Sequence, residues 1–306
     1  MINYYKRSLK NLNIKSLQNY QDGCVILASS PSDKELDDLA LKFNLERDLL
    51  SDALDPYEVP RMEIEKNAVY AFARIPSEEN TRVSTIPLLI IVSSGFLMLV
   101  AKKDLDFLFK DLRKRKDFFT TQQTTSFLQI FGEIQADYGQ MLTKINKRIN
   151  YFALNMDEIK DKDIANFINF EITLNEFLSA LIPIRHTLNN ISHGKILSFS
   201  ADDDELLDDL RLQNEQLIER CKSNLTNSTN LRQAYEVIST SRLNRTMKLL
   251  TGMTVILALP TMITSFYGMN VALPYAQSPF VFWGILIFIF ALVGVLFIAF
   301  RGRKLL

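Results

Sequence analysis

The chain has 306 residues, and its 35 basic and 35 acidic side chains give it a formal net charge of zero. This balance argues against nucleic acid as the main partner, and two cysteines are too few for a disulfide framework or a zinc cage. The sequence contains neither a Gly-rich phosphate loop nor a nucleophile motif, so it predicts neither an enzyme nor a cofactor site.

Residues 1–120 predict a cytosolic α/β domain. Four short segments rich in Val, Ile and Phe are typical of strands, namely Gly23–Ala28, Asn67–Ile75, Thr85–Val92 and Phe96–Ala101. Between the last two, Ser94 and Gly95 predict a hairpin turn. Ser32–Phe43 predicts a helix, because Ser32 and Glu35 have the spacing of a capping box.

Helical patterns replace strand patterns from about residue 121. Residues 121–201 predict a helical hairpin, with helices expected over Ser126–Asn155 and Lys160–His193. No proline or glycine occurs between Asp204 and Gly252. A single stalk helix is therefore expected over residues 202–248, continuing into a membrane. Together with its membrane continuation such a helix is about 90 Å long, and it is stable only where it packs against partners.

The C-terminal part predicts two transmembrane helices. No Asp, Glu, Lys or Arg occurs from Leu249 to Phe300, a stretch too long for one span of about 20 residues. Gly, Asn and Pro residues divide it into a span at 249–267, an external loop at 268–279 and a second span at 280–300. Basic residues precede the first span and follow the second in the tail 301–306, so both termini are expected in the cytoplasm. These features predict a multi-pass protein of the cell membrane, with the lipid bilayer as one partner.

Polar and small residues keep to one face of the first span and of the helix before it. In the membrane this stripe reads Met247, Thr251, Thr254, Ala258, Thr261 and Ser265, and in the stalk Gln216, Glu219, Ser223, Thr226, Asn230, Gln233, Thr240 and Asn244. One interpretation is close helix packing, which small residues and hydroxyls favour in membranes. In the other, several copies surround an axis and the stripe lines an aqueous path. The continuation of the stripe through the stalk as Asn, Thr, Ser and Gln favours the second.

The first span ends in Tyr267-Gly268-Met269-Asn270, and this motif resembles the CorA-type divalent-cation transporters. The resemblance covers the whole chain: Asp55–Arg61 and Thr85–Leu88 look like the cytosolic domain of that family, and Asn244 with Met247–Thr251 looks like its pore entrance. It implies a homopentamer with a funnel-shaped cytosolic α/β domain, a long stalk helix that lines the pore, and two C-terminal transmembrane helices. It also implies Mg²⁺ as the usual transported ion.

The resemblance assigns roles to single residues. Gly268, Met269 and Asn270 form the selectivity filter, in which a ring of Asn270 amides accepts hydrogen bonds from the waters of a hydrated ion. Gly268 is expected to permit the backbone turn that directs this ring, and a Cβ there is not expected to fit. Met247 and Leu250 fall at the hydrophobic gate, whereas Ala258 replaces a bulkier methionine and has no expected gating role. The expected pore-lining residues are Asn244, Met247, Leu250, Thr251, Thr254, Ala258, Thr261 and Ser265.

The acidic run Asp202–Asp209 has two interpretations. By an ungapped count from Gly268, Asp209 matches a carboxylate that binds regulatory Mg²⁺ between subunits of the family. Cytosolic Mg²⁺ is then expected to hold the pore closed. The partner carboxylate on the neighbouring subunit is not identified, and Asp55 is only a guess. Alternatively, the run is a solvated helix start, where acidic side chains favour the N-terminal dipole.

The external loop departs from the family pattern. Val271–Pro279 contains no acidic residue, whereas well-studied magnesium transporters carry one there, so this loop cannot concentrate cations strongly through charge. The choice among Mg²⁺, Co²⁺, Ni²⁺ and Zn²⁺ therefore stays open, and Zn²⁺ transport, possible with or without proton coupling, is the alternative function. An alternative of another class is a membrane-anchored cation sensor or scaffold that does not conduct.

Overall fold

A computed structural model of the chain describes residues 1–79, 82–156, 159, 161–193, 199–271 and 279–302. The chain divides into two compact units, Met1–Leu231 and Arg232–Leu306. Most of the predicted external loop (272–278) and the end of the basic tail (303–306) lie outside the described residues. The domain boundaries given above stay predictions.

The first unit contains a seven-stranded sheet. Its strands are β1 (Ile2–Ser8), β2 (Asn11–Leu17), β3 (Cys24–Ser29), β4 (Met62–Glu65), β5 (Ala68–Glu79), β6 (Arg82–Ser93) and β7 (Phe96–Ala101). Their order is β2-β1-β3-β7-β6-β5-β4. The β3–β7 pair is parallel, and the other neighbouring strands are antiparallel. All four predicted strands are confirmed, and so is the turn at Ser94-Gly95, because Ser93 pairs with Phe96 across it.

Helices cover both faces of the sheet, which explains why its central strands are apolar throughout. One face packs its alternate residues, such as Ile26, Ile91 and Met98, against α1 (Asp33–Phe43) and α2 (Arg47–Asp52). The other face contacts α4 (Gln123–Leu154) and α5 (Asp161–His193). Strands buried on two sides lose the alternation of polar and apolar residues, and all six residues of β7 are buried.

Local sequence signals fix the ends of the helices on this sheet. Ser32 caps α1, since its side chain accepts a hydrogen bond from the backbone N–H of Glu35 and its own N–H donates to Glu35 Oε2 at 2.8 Å. The predicted capping box is therefore confirmed. Helices α4 and α5 lie where two helices were expected, whereas α2 and α3 (Asp106–Lys114) were not predicted.

An aromatic contact joins the helical layer to the sheet. Tyr138 on α4 and Phe177 on α5 are fully buried and stack edge to face with their ring centroids 4.9 Å apart. The Tyr138 hydroxyl donates to the backbone oxygen of Arg74 on β5 at 2.9 Å. Burial raises the pKa of Tyr138 far above its usual value, so this hydroxyl stays a donor at physiological pH.

The first part of α6 (Ala201–Tyr267) belongs to the same unit and packs against α4 and α5. Its buried apolar side chains include Leu207, Leu210, Leu217 and Cys221. Two buried amides add polar contacts: Gln135 donates to the backbone oxygen of Leu210 at 2.9 Å, and Asn214 donates to that of Leu181 at 3.0 Å. These bonds anchor the stalk helix within the first unit.

The second unit comprises the rest of α6 and α7 (Pro279–Gly302). Among the described residues, three helical segments are long and apolar enough to cross a membrane: Asp163–Ile191, Ala201–Tyr267 and Phe280–Gly302. The first belongs to α5, which packs against β5 and β6 in the first unit. The other two contain the predicted spans at 249–267 and 280–300.

Candidate ion pathway

The predicted pore-lining residues share one exposed face of α6. Asn244, Met247, Leu250, Thr251, Thr254, Ala258, Thr261 and Ser265 are all exposed. On the opposite face, Ile256, Leu259 and Ile263 are partly buried. Residues three and four apart on a helix are neighbours, so the stripe predicted from spacing is one continuous surface. Leu250 lies at the edge of this surface, one turn from both Met247 and Thr254.

The threonines of this surface direct their hydroxyl hydrogens back to their own helix. Thr251 donates to the backbone oxygen of Met247 at 2.8 Å, Thr254 to that of Leu250 at 2.9 Å, and Thr261 to that of Leu257 at 2.8 Å. A hydroxyl has one hydrogen and two lone pairs. Because the hydrogen is already donated, each hydroxyl offers only acceptor oxygen to the groups it faces, which suits a cation and its bound water.

Helix α6 ends at the motif that carries the family resemblance. Tyr267 is its last residue, and the N–H groups of Gly268 and Met269 bond back to carbonyls of the last turn at 3.1–3.3 Å. Asn270 follows in an exposed bend. The last carbonyls are therefore satisfied by Gly268 and Met269, and Asn270 is left three residues beyond the end of the helix.

The expected requirement for glycine at position 268 is wrong within a single chain. Gly268 does not have a left-handed backbone conformation. A Cβ built on it lies 3.5 Å from the backbone oxygen of Ser265 and 3.6 Å from that of Thr264. These are ordinary van der Waals distances, so neither strain nor a clash inside the chain excludes a side chain here.

The acidic run at the start of α6 contains two kinds of carboxylate. Asp203 is buried and belongs to a capping box, because Ser200 donates to its Oδ2 from the backbone N–H at 3.0 Å and from Oγ at 2.8 Å. Thr125 donates to its Oδ1 at 2.7 Å and ties the start of α6 to α4. Asp209, in contrast, is exposed. Among the described residues of one chain, no three His, Cys, Asp or Glu side chains are grouped to hold a metal.

Sequence reasoning passed over Pro260, which lies inside α6. Proline has no N–H, so the backbone oxygen of Ile256 lacks its usual helical donor. On the other side of the proline, Thr264 donates to the backbone oxygen of Pro260 at 3.2 Å and to that of Thr261 at 3.0 Å. The sequence does show this proline within an apolar run. It predicts that one backbone hydrogen bond of this span is missing.

A protein-family model and a related protein each match most of the chain. The family model described as CorA-like Mg²⁺ transporter protein matches residues 23–303. The cobalt/magnesium transport protein CorA of Methanocaldococcus jannaschii is 25% identical over 285 residues, which cover 89% of this chain and 87% of that protein.

Two solved structures establish the fold. The complete CorA magnesium transporter of Methanocaldococcus jannaschii superposes with a TM-score of 0.83 at 22% identity, covering 98% of this chain and 97% of that one. The soluble domain of CorA from the same organism gives a TM-score of 0.67 at 20% identity, covering 76% of this chain and 95% of that one. A soluble α/β domain, a long helix and C-terminal apolar helices are thus the shared fold.

Proposed function

We propose that this chain, which belongs to the family of CorA-like Mg²⁺ transporter proteins, is the protomer of a homopentameric channel for divalent cations. In this proposal it crosses the cell membrane twice, keeps both termini in the cytoplasm and admits Mg²⁺ down its electrochemical gradient. The observation that carries the proposal is the exposed polar face of α6, set opposite a partly buried apolar face within a segment able to span a membrane.

An oligomer follows from the physics of that face. The oxygen lone pairs of these hydroxyls find no hydrogen-bond donor in lipid, whereas several copies around an axis turn the polar face towards water. One exposed helix face cannot enclose a path, so the conducting unit needs further copies of the chain. Five copies are what the family resemblance implies.

Asn270 is the proposed filter. Mg²⁺ gives up its waters reluctantly, so a filter that holds the hydrated ion passes it faster than one that strips it. A ring of amide oxygens accepts hydrogen bonds from the bound waters without trapping the ion by charge. Asn270 is exposed just beyond the end of α6, where copies of α6 would bring their amides together.

Met247 and Leu250 are the proposed gate. The two residues are 53% and 58% exposed, so in a pentamer they form apolar rings that stop ions by dewetting. Ala258 is too small for that role and leaves a wider section of the path.

Cytosolic Mg²⁺ is the proposed regulator as well as the transported ion. Bound at Asp209 and a carboxylate of a neighbouring subunit, it would relieve repulsion and hold the closed state. The exposed position of Asp209 supports this assignment, and the internal bonds of Asp203 remove that residue from it. If Asp209→Ala leaves Mg²⁺ protection of the full-length protein from protease unchanged, Asp209 is not a regulatory ligand.

The test is flux through purified full-length protein in liposomes, followed with an internal Mg²⁺ indicator. We expect wild-type protein to pass Mg²⁺ and Asn270→Ala to reduce the rate about tenfold or more, because amide contacts of roughly 0.5–1.5 kcal/mol each are lost from every copy. Asn13→Ala, which removes the same side chain from an exposed position on strand β2, serves as the control and should match wild type.

Each outcome distinguishes the candidate functions. The absence of any divalent flux would support a non-conducting sensor or scaffold, and flux that Asn270→Ala leaves unchanged would refute the filter. The name of the Methanocaldococcus jannaschii relative refers to cobalt and magnesium, which favours Mg²⁺ here. Faster Zn²⁺ than Mg²⁺ flux, measured with and without a pH gradient, would favour the alternative.

A further inference from the structure

Within the first unit, α6 carries two seven-residue repeats on opposite faces. One is buried against α4 and α5, and its members are Leu207, Leu210, Asn214, Leu217, Cys221, Asn224 and Ser228. The other is exposed at every position, and its members are Glu205, Asp209, Leu212, Gln216, Glu219, Ser223, Thr226 and Asn230. We call the second repeat the open seam. Both repeats alternate steps of three and four residues, so the open seam keeps a constant position relative to the buried one.

The open seam keeps the same phase in the second unit. Its positions there are Gln233, Val237, Thr240, Asn244, Met247, Thr251, Thr254, Ala258, Thr261, Ser265 and Gly268, and all of them are exposed. A seven-residue repeat is the pattern by which parallel helices face a common axis in a left-handed supercoil. Packed supercoils fill such a seam with apolar side chains, whereas this seam is mostly polar, so it is suited to face water and ions.

Charge is distributed unevenly along the open seam. It contains no lysine or arginine, and from Leu212 to Gly268 its one ionisable residue is Glu219. The Glu219 side chain is 67% exposed and pairs with Lys222 on the same helix, with 2.8 Å between Oε1 and Nζ. A pair this exposed is worth little, and Lys222 lies three residues away from Glu219 and outside the seam. The Glu219 carboxylate is therefore available to a third group.

We infer that Glu219 forms a carboxylate ring in the cytosolic part of the ion path, where it binds hydrated divalent cations. The inference rests on the proposed oligomer, because one chain supplies only one carboxylate. In a symmetric assembly the copies of Glu219 lie at one level around the axis, and their mutual repulsion is relieved by a divalent cation. Oxygen ligands and retained water are what Mg²⁺ and Mn²⁺ favour.

The Glu219 ring and the regulatory site proposed at Asp209 differ in role, although both residues belong to the open seam. The two residues are ten positions apart on α6, about 15 Å along the helix. A ring on the axis acts on ions in transit: it raises their concentration inside the path and so increases the rate at low Mg²⁺. A regulatory site between subunits acts on the open–closed equilibrium. The two roles are thus separable by experiment.

The test compares Glu219→Gln with Glu215→Gln in full-length protein reconstituted in liposomes. Glu215 lies one turn away, outside the open seam, and pairs with Arg185 on α5 at 3.5 Å, so the control removes the same charge from the same helix. At Mg²⁺ well below saturation, we expect Glu219→Gln to slow uptake about threefold or more and Glu215→Gln to leave it unchanged. At about 0.5 M KCl the difference should shrink, because salt screens the ring.

A second readout measures binding without flux. Mn²⁺ is titrated onto the purified wild-type protein and the two variants, and free Mn²⁺ is measured by electron paramagnetic resonance. Glu219→Gln should bind less Mn²⁺ than wild type, and Glu215→Gln should bind as much. Glu219→Asp keeps the charge and should retain most of the binding and flux.

The outcomes separate this inference from the proposed function. Wild-type flux with Glu219→Gln indistinguishable from Glu215→Gln would overturn the ring and leave the channel intact. A Glu219→Asp variant as weak as Glu219→Gln would also overturn it, because charge would not be the cause. Wild-type protein that passes no divalent cation would instead contradict the channel itself.

Discussion

Helices α5 and α7 are both long and apolar enough to cross a membrane, yet their surroundings differ. In α5, 44% of the most apolar stretch of 18 residues is buried within the chain, whereas in α7 none of the corresponding stretch is buried. Helix α5 lies against β5 and β6, and its partly buried positions include charged residues such as Glu171 and Arg185. Helix α7 has no charged residue before Arg301. Hydropathy thus shows that a helix needs a non-aqueous environment, and the packing partners show whether protein or lipid supplies it.

The largest expected effect tests whether α5 belongs to a protein core. Phe177→Ala removes a fully buried ring that packs on Tyr138, and it should lower the free energy of unfolding of the first unit by about 3–5 kcal/mol. Urea unfolding of the full chain in detergent, followed by near-UV circular dichroism, measures the change. Phe290→Ala on α7 is the control, since that ring is 70% exposed. Equal losses in the two variants would contradict the comparison.

A smaller effect is expected where the stalk helix begins. Asp203→Ala removes the acceptor that ties α6 to Ser200 and Thr125, and it should cost about 2 kcal/mol, since a helix cap and a charged hydrogen bond are lost. Asp204→Ala removes an exposed carboxylate one residue later and should cost within about 0.5 kcal/mol. If the same unfolding assay finds the two variants alike, the acidic run is only a solvated helix start.

The smallest effect is a pH dependence confined to the first unit. Burial raises the pKa of Asp137 on α4 from 3.8 to about 6, with further contributions from the negative charges of Glu133 and Asp111. Between these two pH values only the folded state holds the proton, so stability falls as pH rises through that window and then stays level. Asp137→Asn should stabilise the protein at pH 7 by about 1 kcal/mol, an amount discounted for the half-buried position, and should flatten the slope between pH 4 and 6.

The second unit provides the contrast for that measurement. Trp283 is the only tryptophan of the chain and lies exposed on α7, which carries no titratable side chain before Arg301. Its fluorescence in detergent should therefore stay constant between about pH 4 and 6, where the stability of the first unit changes. A change in Trp283 fluorescence over the same pH range would show that α7 responds to the titration in the first unit.

Local signals predicted much of the fold from the sequence. Ser32 and Glu35 indicated the start of α1, the buried strands β3, β6 and β7 were visible as apolar runs, and the charge-free stretch indicated the spans. Strand β1 was missed because its Tyr, Lys and Arg residues are only partly buried. The parallel pairing of β3 with β7 depends on contacts across more than 60 residues of chain, which no local pattern encodes.

For the candidate site, the sequence predicted which residues share one face of a helix. Spacing alone placed Thr251, Thr254 and Thr261 together, because helical periodicity fixes which residues are neighbours. The expectation for Gly268 was wrong, since a glycine in a motif does not reveal whether its backbone needs one. The roles of Asn270 and Asp209 depend on contacts between several copies of the chain. One chain does not contain those contacts, so these roles stay predictions.

The threonine hydroxyls that donate to their own helix also affect whether cations or anions are favoured along this surface. An anion needs hydrogen-bond donors, and the hydroxyl hydrogens of Thr251, Thr254 and Thr261 are already donated to backbone carbonyls. Dipoles fixed in this way discriminate against chloride without any net charge, so added salt does not weaken them as it weakens a carboxylate. Rejection of anions in the membrane should therefore persist at ionic strengths where attraction of cations at the cytosolic end has faded.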